Sequence, residues 1–557
     1  MTSGVSNSAI ADILDRHGRL LEVAGESPFR TRAFTRAAEA LRLYPRRVAE
    51  VAADGRLREI PGIGEGISAA IMQILETGTF DAHVQLTGRI PESLVELMAI
   101  PGVGAKTVLR LYSDLDVDSL AGLEAALASG QVRAAKGLGP RAEAAMLAGI
   151  EAVQRRSGRT PLGIALPASK ALVAAYSAAR PQDSVSLAGS ARRWEVTVGD
   201  LDFVIGSTDF KASEAGLTSL AMVTDAEWTN ERSMRVSLAS GLAADIYLTH
   251  PGSWGTSLLR ATGSAMHIKR LGAIPEHAAT EDEIYASLGL PFVPPELRSG
   301  EEEFDRLEEI PFLVTLADIN GEFHAHTTWS DGSASVRQMA DAAAERGYRL
   351  LGITDHSQSL AVAGGLDVER LGLQRIEIEE VNGEAGVQLL AGAEIEVHRD
   401  GSLDYNDETL AHLDVVVASL HSGLRQPRED LMARLLRVLE NPNVDIIAHP
   451  SGRLIERREG GDFDWDRVFE VAAQTDTALE INADPARLDL DPSLAYRAGL
   501  AGCLITINCD AHHPSGFSLM EYGVAMGRRA WLKPSQILNC WSPADIREWL
   551  LSRARPA

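Results

Sequence analysis

Six histidines punctuate the second half of the sequence, and most of them close an apolar run. They are His324 and His326 in GEFHAHTTWSDG, His356 in LLGITDHS, His421 in VVVASLHS, His449 in VDIIAHP and His512 in INCDAHHP. Three carboxylates keep the same company: Asp331, Glu394 in LLAGAEIEV, and Asp510. Histidine is otherwise sparse, 14 in 557 residues. Imidazole nitrogens and carboxylate oxygens are natural ligands of divalent metals of intermediate hardness. A lone buried histidine is usually a core residue with its hydrogen bonds satisfied. Nine suitable residues at successive strand ends predict a multinuclear metal centre, and such a centre points to hydrolysis.

A second constellation lies upstream, in SLAGSARRWEVTVGDLDFVIGS. A Gly-Ser turn precedes two arginines, and Asp200 and Asp202 follow, two apart on a strand, which turns both carboxylates to one face. Asp245 in GLAADIYLT sits on a later strand, where it can complete a site for two magnesium ions against a triphosphate. Alone, a DxD pair is common on exposed strand faces; GSARR before it and Asp245 after it give this pair its weight. A third pattern is PGIGEGI (61–67) and PGVGAKT (101–107). Glycines allow a tight turn between helices, and the N–H groups opening the next helix then face an anion. This resembles the helix-hairpin-helix motif, which implies DNA-phosphate contacts by Gly62, Gly64, Gly66, Gly102, Gly104 and Lys106 without sequence readout. KGLGPR (136–141) is a weaker third copy and reads as a plain turn.

The elements that must position these groups follow from texture. Residues 1 to about 155 are Ala-, Leu- and Arg-rich with apolar residues at helical spacing. From about 160 the sequence becomes mixed, with strands such as SVSLAG, LDFVIGS and AADIYLT. PFVPPELRSGEEEFDRLEEIPFLV (291–314) has the Pro/Gly punctuation and charge of a linker. From about 318 to 540, apolar strands alternate with helical segments, the pattern of parallel β/α units, whose strand ends converge on one face. The boundaries read this way are 1–80 for a helical template- or 5′-end-binding domain with the first hairpin and 81–158 for a fingers-like helical domain with the second. They continue with 159–298 for a mixed-sheet palm and reduced thumb, 299–317 for the linker, and 318–557 for the metal-dependent domain.

The net charge of −25 argues against nonspecific coating of nucleic acid. The first 160 residues are roughly balanced and hold the Arg-rich stretches, so DNA contact is expected to begin there. No apolar run approaches the ~20 residues that span a bilayer, and the N-terminus lacks signal-peptide architecture. Three cysteines without CxxC spacing suit a reducing cytoplasm.

GSARRWEVTVGDLDFVI and TGSAMH (262–267) resemble the nucleotidyltransferase signature of family X DNA polymerases. The resemblance implies that Gly189, Ser190 and Arg193 cradle a nucleotide triphosphate, that Asp200, Asp202 and Asp245 bind catalytic Mg²⁺ or Mn²⁺, and that Thr262, Gly263 and Ser264 lie near the sugar. For Arg30, Arg32 and Arg36 it implies contact with a downstream 5′-phosphate, and a solvated helix face is the equal alternative. Arg260-Ala261 stands where that family has an aromatic pair, which implies weakened sugar discrimination. The histidine series resembles the polymerase and histidinol phosphatase (PHP) domain, matched by SDG, TDHS, AHPSGR and DAH. That family implies a distorted seven-stranded β/α barrel holding two to three Mn²⁺, Zn²⁺ or Fe²⁺, with His324 and His326 essential for catalysis. Arg453 in HPSGR is the candidate phosphate clamp. The expected whole is a multidomain α plus α/β repair enzyme, a monomer in the cytoplasm near the nucleoid and not in a membrane. It would fill gaps in gapped or nicked DNA from deoxynucleoside triphosphates and trim DNA 3′ ends. A DNA-end nuclease with a vestigial polymerase and a small-molecule phosphatase are the alternatives.

Overall fold

The computed structural model describes residues 7–44, 48–60, 62–98, 100, 103–135, 137–156, 158–384 and 386–552. The chain divides into two compact units, one holding Met1–Glu301 with Glu456–Arg458 and the other Glu302–Ile455 with Glu459–Ala557.

The first unit begins with short helices around two apolar cores, one running from Ile10 to Phe80 and the other chiefly from Leu94 to Ile150. The hairpin turns share one geometry. Ile63 N donates to Ile60 O at 3.1 Å, and Val103 N donates to Ile100 O at 2.9 Å. Gly64 and Gly104 then cap the helices Glu65–Thr77 and Ala105–Leu115. Gly62 has φ +84°, a conformation that favours glycine. Gly102 lies outside the described residues. The third turn, expected to be plain, repeats the pattern: Leu138 N donates to Ala135 O at 3.1 Å, and Gly137 has φ +77°. The weaker consensus hid a third hairpin because the turn needs only the glycine conformation and one backbone bond.

After the two-residue strand β1 (Thr160–Pro161) comes the helix Leu162–Ala179, long and apolar enough by composition to cross a membrane. Here it buries Leu162, Ala165, Leu166, Leu172 and Tyr176 within the unit, as a core helix does. The strands β2 (Ser184–Leu187), β3 (Thr197–Val198), β4 (Leu201–Gly206), β5 (Val223–Asn230), β6 (Ser233–Leu238) and β7 (Ala243–Thr249) follow. β1 pairs with β3, and the other five form a mixed sheet in the order β2-β4-β7-β6-β5. Only β4 and β7 are parallel neighbours, and their register sets Asp202 beside Asp245.

The second unit is a seven-stranded parallel sheet curled almost shut. Its strands are β8 (Gly321–Ala325), β9 (Leu350–Ile353), β10 (Gln388–Glu396), β11 (Val415–Ser419), β12 (Ile446–Ile447), β13 (Ala478–Asn482) and β14 (Ile505–Asn508). They stand in sequence order, with helices between them. Continuous apolar runs such as VVVAS form these strands because a parallel sheet covered by helices is buried on both faces. β8 and β14 meet without a full ladder; a single bridge joins Ala325 to Ala511. Side chains complete the closure. Asn539 Nδ2 donates to the carbonyls of Gly321 and Ile507 at 2.9 and 2.8 Å, and Glu322 accepts Cys509 N–H at 3.0 Å. The helix Pro543–Ser552 packs Ile546, Trp549 and Leu550 onto the strand core.

Candidate metal centres

The parallel topology brings every strand-end histidine of the barrel to one place. β8 supplies His324 and leads directly into His326, and the loop beyond it carries Asp331. His356 follows β9, Glu394 lies within β10, and His421, His449, Asp510 and His512 follow β11, β12 and β14. Their donor atoms fall into overlapping groups: His324, His326 and Asp510; His326, Asp331, His356 and His512; and His356, Glu394 and His421. Glu394 is the hub. Its Oε2 lies 2.7 Å from His356 Nδ1 and 3.5 Å from His324 Nε2, while Oε1 lies 3.2 Å from Nε2 of both His421 and His449. Asp510 Oδ1 lies 3.1 Å from His326 Nε2, and Asp331 Oδ1 lies 3.2 Å from His512 Nε2.

A second ring of acceptors turns these imidazoles. Glu480, wholly buried on β13, accepts His324 Nδ1–H at 2.8 Å and His449 N–H at 2.7 Å. Glu396 lies 2.7 Å from His421 Nδ1, and the Asp510 carbonyl lies 2.8 Å from His512 Nδ1. A proton held on each Nδ1 leaves the Nε2 lone pair for the centre. Sequence reading passed over Glu480 and Glu396, although a carboxylate inside the apolar run ALEIN was a visible signal.

The electrostatics fit cations. Burial opposes charge on every group, yet the Glu394 and Asp331 carboxylates push His356 up to about 10, and Glu394 and Glu396 push His421 up to about 9. Burial also opposes the Glu394 charge, but His421, His356 and His324 hold that carboxyl well below its usual range. His326 goes the other way, to about 4, through burial and then the neighbouring His356 and His512. Nε2 of His324 and of His326 and Oε2 of Glu394 are buried without a hydrogen-bond partner. Buried orphan donors of these types, aimed at one another, suit divalent cations such as manganese, zinc or iron.

Arg453, the candidate phosphate clamp, already gives two of its guanidinium nitrogens to the chain itself. Its Nε donates to Arg487 O at 2.8 Å, its Nη2 donates to Leu488 O, and Asp491 lies 3.6 Å from Nη1. The HPSGR motif supplied the residue type, but the fork holds the chain's own loop. His398 pairs with Asp404 at 2.9 Å, outside the donor groups.

In the mixed sheet, Asp200 precedes β4, and Asp202 and Asp245 lie side by side on β4 and β7. Tyr247 donates its hydroxyl to Asp202 Oδ1 at 3.2 Å, and Arg235 reaches both Asp245 oxygens at 3.1 and 3.2 Å. Burial and the Asp200 charge raise Asp202 to about 6, although the Tyr247 bond lowers it. Two carboxylates side by side, one of them resisting ionisation under the added charge of Asp200, suit Mg²⁺ or Mn²⁺. Gly189, at φ +61°, opens the turn Gly189–Arg192; a Cβ there would collide with the Asp202 carboxylate. Ser190 stands in the same turn, so glycine is what lets its backbone approach the acids.

The TGS segment is tied to this turn. Arg193 Nη1 donates to Thr262 O at 2.7 Å, and Arg192 Nη1 donates to Thr262 Oγ1 at 2.7 Å. Arg192 also forks onto Glu281 at 2.9 and 2.7 Å, and the fully buried Arg298 reaches the same carboxylate at 2.5 Å. Gly263 ends the helix Trp254–Thr262, and Ser264 caps the helix Ala265–Leu271. Arg192, Glu281 and Arg298 were not foreseen, because their separations of 89 and 17 residues leave no local pattern. At the hairpins, Gly64, Gly66 and Gly104 have open space where a Cβ would stand, as close backbone approach by a ligand requires. Lys106 lies in the first turn of its helix.

Comparison with known proteins agrees with this architecture. Residues 5–80 match the helix-hairpin-helix domain, residues 94–152 the SAM-like helix-hairpin-helix tandem, and residues 322–484 the PHP domain. A Bacillus subtilis protein named DNA polymerase/3′-5′ exonuclease PolX is 34% identical over 97% of this chain and 98% of its own length. A probable phosphatase of Caldanaerobacter subterraneus is 30% identical over 34% of this chain and 74% of its own. A probable phosphatase of Shewanella sediminis is 30% identical over 41% of this chain and 93% of its own. The phosphatases share only a part of the chain, whereas the likeness to the Bacillus protein runs through hairpins, mixed sheet and barrel alike. The chain belongs to the PolX family of DNA polymerase/3′-5′ exonucleases.

Proposed function

We propose that this chain is a DNA-repair enzyme that fills gaps at the Asp200, Asp202 and Asp245 site and processes DNA 3′ ends at the barrel centre. The observation that carries the reading is Glu394, a buried carboxylate contacting four histidines from four strands, on the same chain as a glycine turn pressed against Asp202, which pairs beside Asp245.

His324, His326, Asp331, His356, Glu394, His421, His449, Asp510 and His512 would hold two to three Mn²⁺, Zn²⁺ or Fe²⁺, and Asp200, Asp202 and Asp245 would hold Mg²⁺ or Mn²⁺. Bound cations would acidify water and polarise phosphoryl oxygens. The chain's own part in the barrel is to fix the histidine tautomers through Glu480, Glu396 and the Asp510 carbonyl, and to keep the inner donors dry. In the palm, Gly189, Ser190 and Arg193 would receive the triphosphate, with Thr262, Gly263 and Ser264 beside the sugar. Arg260-Ala261 offers no aromatic ring to the sugar, and weak exclusion of ribonucleotides follows. The hairpins, with Gly62, Gly64, Gly66, Gly102, Gly104 and Lys106, would grip gapped or nicked DNA by its phosphates. We place the enzyme, as a monomer, in the cytoplasm near the nucleoid.

Two variants test the reading. His324→Ala with His326→Ala is expected to abolish 3′→5′ degradation of an oligonucleotide and spare primer extension across a gap. Asp200→Asn with Asp202→Asn is expected to do the reverse. Full nuclease activity in the first variant overturns the barrel assignment. Phosphate release from small monoesters without DNA degradation would replace it with a phosphatase.

A further inference from the structure

Of the barrel's candidate ligands, Asp331 stands farthest along the chain from its strand, in the loop beyond β8. Its side chain and that of His512 are 37% and 40% exposed, where His324 and Glu394 are buried. A carboxylate on an exposed loop must be held in place by something other than the sheet.

The loop has one hub, the buried Asp355 just beyond β9. Its Oδ1 accepts Thr327 N–H at 2.8 Å, Ser330 N–H at 3.1 Å and Ser330 Oγ–H at 2.5 Å. Its Oδ2 accepts Thr327 Oγ1–H at 2.6 Å and, from the helix Val368–Asn382, Gln374 Nε2–H at 2.5 Å. Ser330 Oγ also lies 3.4 Å from Asp331 Oδ1. The far end of the loop is tied to the facing ligand: Ser333 N–H and Oγ–H donate to the His512 carbonyl at 2.8 and 3.0 Å.

Asp355 is itself fixed to the strands. Its carbonyl accepts Glu394 N–H at 3.1 Å, and the next residue is His356, whose Nδ1 lies 2.7 Å from Glu394. One residue therefore carries the frame of β9 and β10 across to the loop of Asp331. Its carboxylate oxygens are taken up by the loop and the helix, and it stands outside the donor groups.

We propose that Asp355 is the positioning residue of Asp331, and that it sets the affinity of the cation held by His326, Asp331, His356 and His512. The proposal rests on the metal reading of the barrel centre above. This group has the two most exposed ligands, so its cation is the loosest of the centre. Removing a partner that aims a ligand weakens metal binding by about 10- to 100-fold.

The test titrates Mn²⁺ into the full chain stripped of metal and follows free Mn²⁺ by electron paramagnetic resonance. Asp331→Ala and Asp355→Ala are each expected to weaken the loosest site about 10- to 100-fold and leave the tighter sites within about threefold. The double variant is expected to bind no more weakly than Asp331→Ala alone, because Asp355 acts through Asp331. Thr327→Val with Ser330→Ala, which keeps Asp355 and removes the loop's hydroxyls, is expected to weaken the same site. Wild-type binding in Asp355→Ala, when Asp331→Ala weakens the loosest site, overturns the proposal and leaves the metal reading standing. So do losses that add in the double variant, or an equal fall at every site, either of which would mean that Asp355 supports the fold at large. A wild-type chain that takes up no Mn²⁺ would remove the metal reading, and the proposal with it.

Discussion

Replacing Glu480 by glutamine isolates the orienting ring of the barrel from its ligands. The carboxylate accepts four hydrogen bonds: His324 Nδ1–H at 2.8 Å, His449 N–H at 2.7 Å, Asn508 Nδ2–H at 3.0 Å and Asn482 Nδ2–H at 3.1 Å. Burial would raise its pKa, but His324 beside it wins and lowers it, so the site holds an ion and not an acid. Glutamine keeps the shape, removes the charge, and turns one acceptor into a donor. The bond most affected is that to His324, because a charge-assisted bond contributes about 1.5–3 kcal/mol. At 1.4 kcal/mol per tenfold, metal affinity at the His324 position should fall roughly 10- to 100-fold, the usual range for such partners. Metal content after dialysis and 3′→5′ degradation of a labelled oligonucleotide measure the loss, and gap filling in the same preparation is the control. Metal content and nuclease activity within about threefold of wild type would refute the reasoning. An equal fall in gap filling would show that Glu480 serves the fold of the whole chain and not the histidine.

Metal affinity of the barrel should rise with pH between about 6 and 9, because His356, His421 and His512 hold protons to about 10, 9 and 9 and must release them to ligate; chelator competition at three pH values measures this, and a flat profile contradicts it. Glu281→Ala should destabilise the first unit by about 3–5 kcal/mol, since it leaves the buried Arg298 beside Arg192 with no counter-charge; a lowered first melting transition with the nuclease intact is the expected result. His17 is buried among Phe34, Phe80 and His83 with neither ring nitrogen bonded, and burial first, then His83 and Arg30, lower its pKa to about 4. The unfolded chain then binds the extra proton between about pH 6.5 and 4, so stability is lost as pH falls through that window. His17→Phe should flatten the acid limb of the first unit's melting profile, and an unchanged limb would reject the cause.

What could be read in the sequence, and what could not, divides along a physical line. His356, His421 and His449 were legible because each closes an apolar run, and parallel strands all end on one face. Asp202 and Asp245 were legible for a similar reason: one local spacing and one strand apiece, brought side by side by a parallel pairing. The groups that aim these ligands were not. Glu480 on β13 reaches His324 on β8 across the intervening β14, 156 residues away, and Asn508 of β14 steadies it in between. No spacing encodes that contact, since it exists only once the barrel has closed and a strand's neighbours are fixed. Arg453 shows the same limit from the other side: the motif gave a cation in a suggestive place, and its Nε and Nη2 bond to the loop at 487–488, partners that no local spacing announces. A ligand can therefore be proposed from where it stands in a strand, but the orientation of a charged group depends on partners contributed by other strands. The same division explains why the third hairpin was missed and the histidine series was not. A turn is set by one glycine conformation that many sequences satisfy, whereas nine residues of metal-ligating type set along successive strands have few other reasons to occur together.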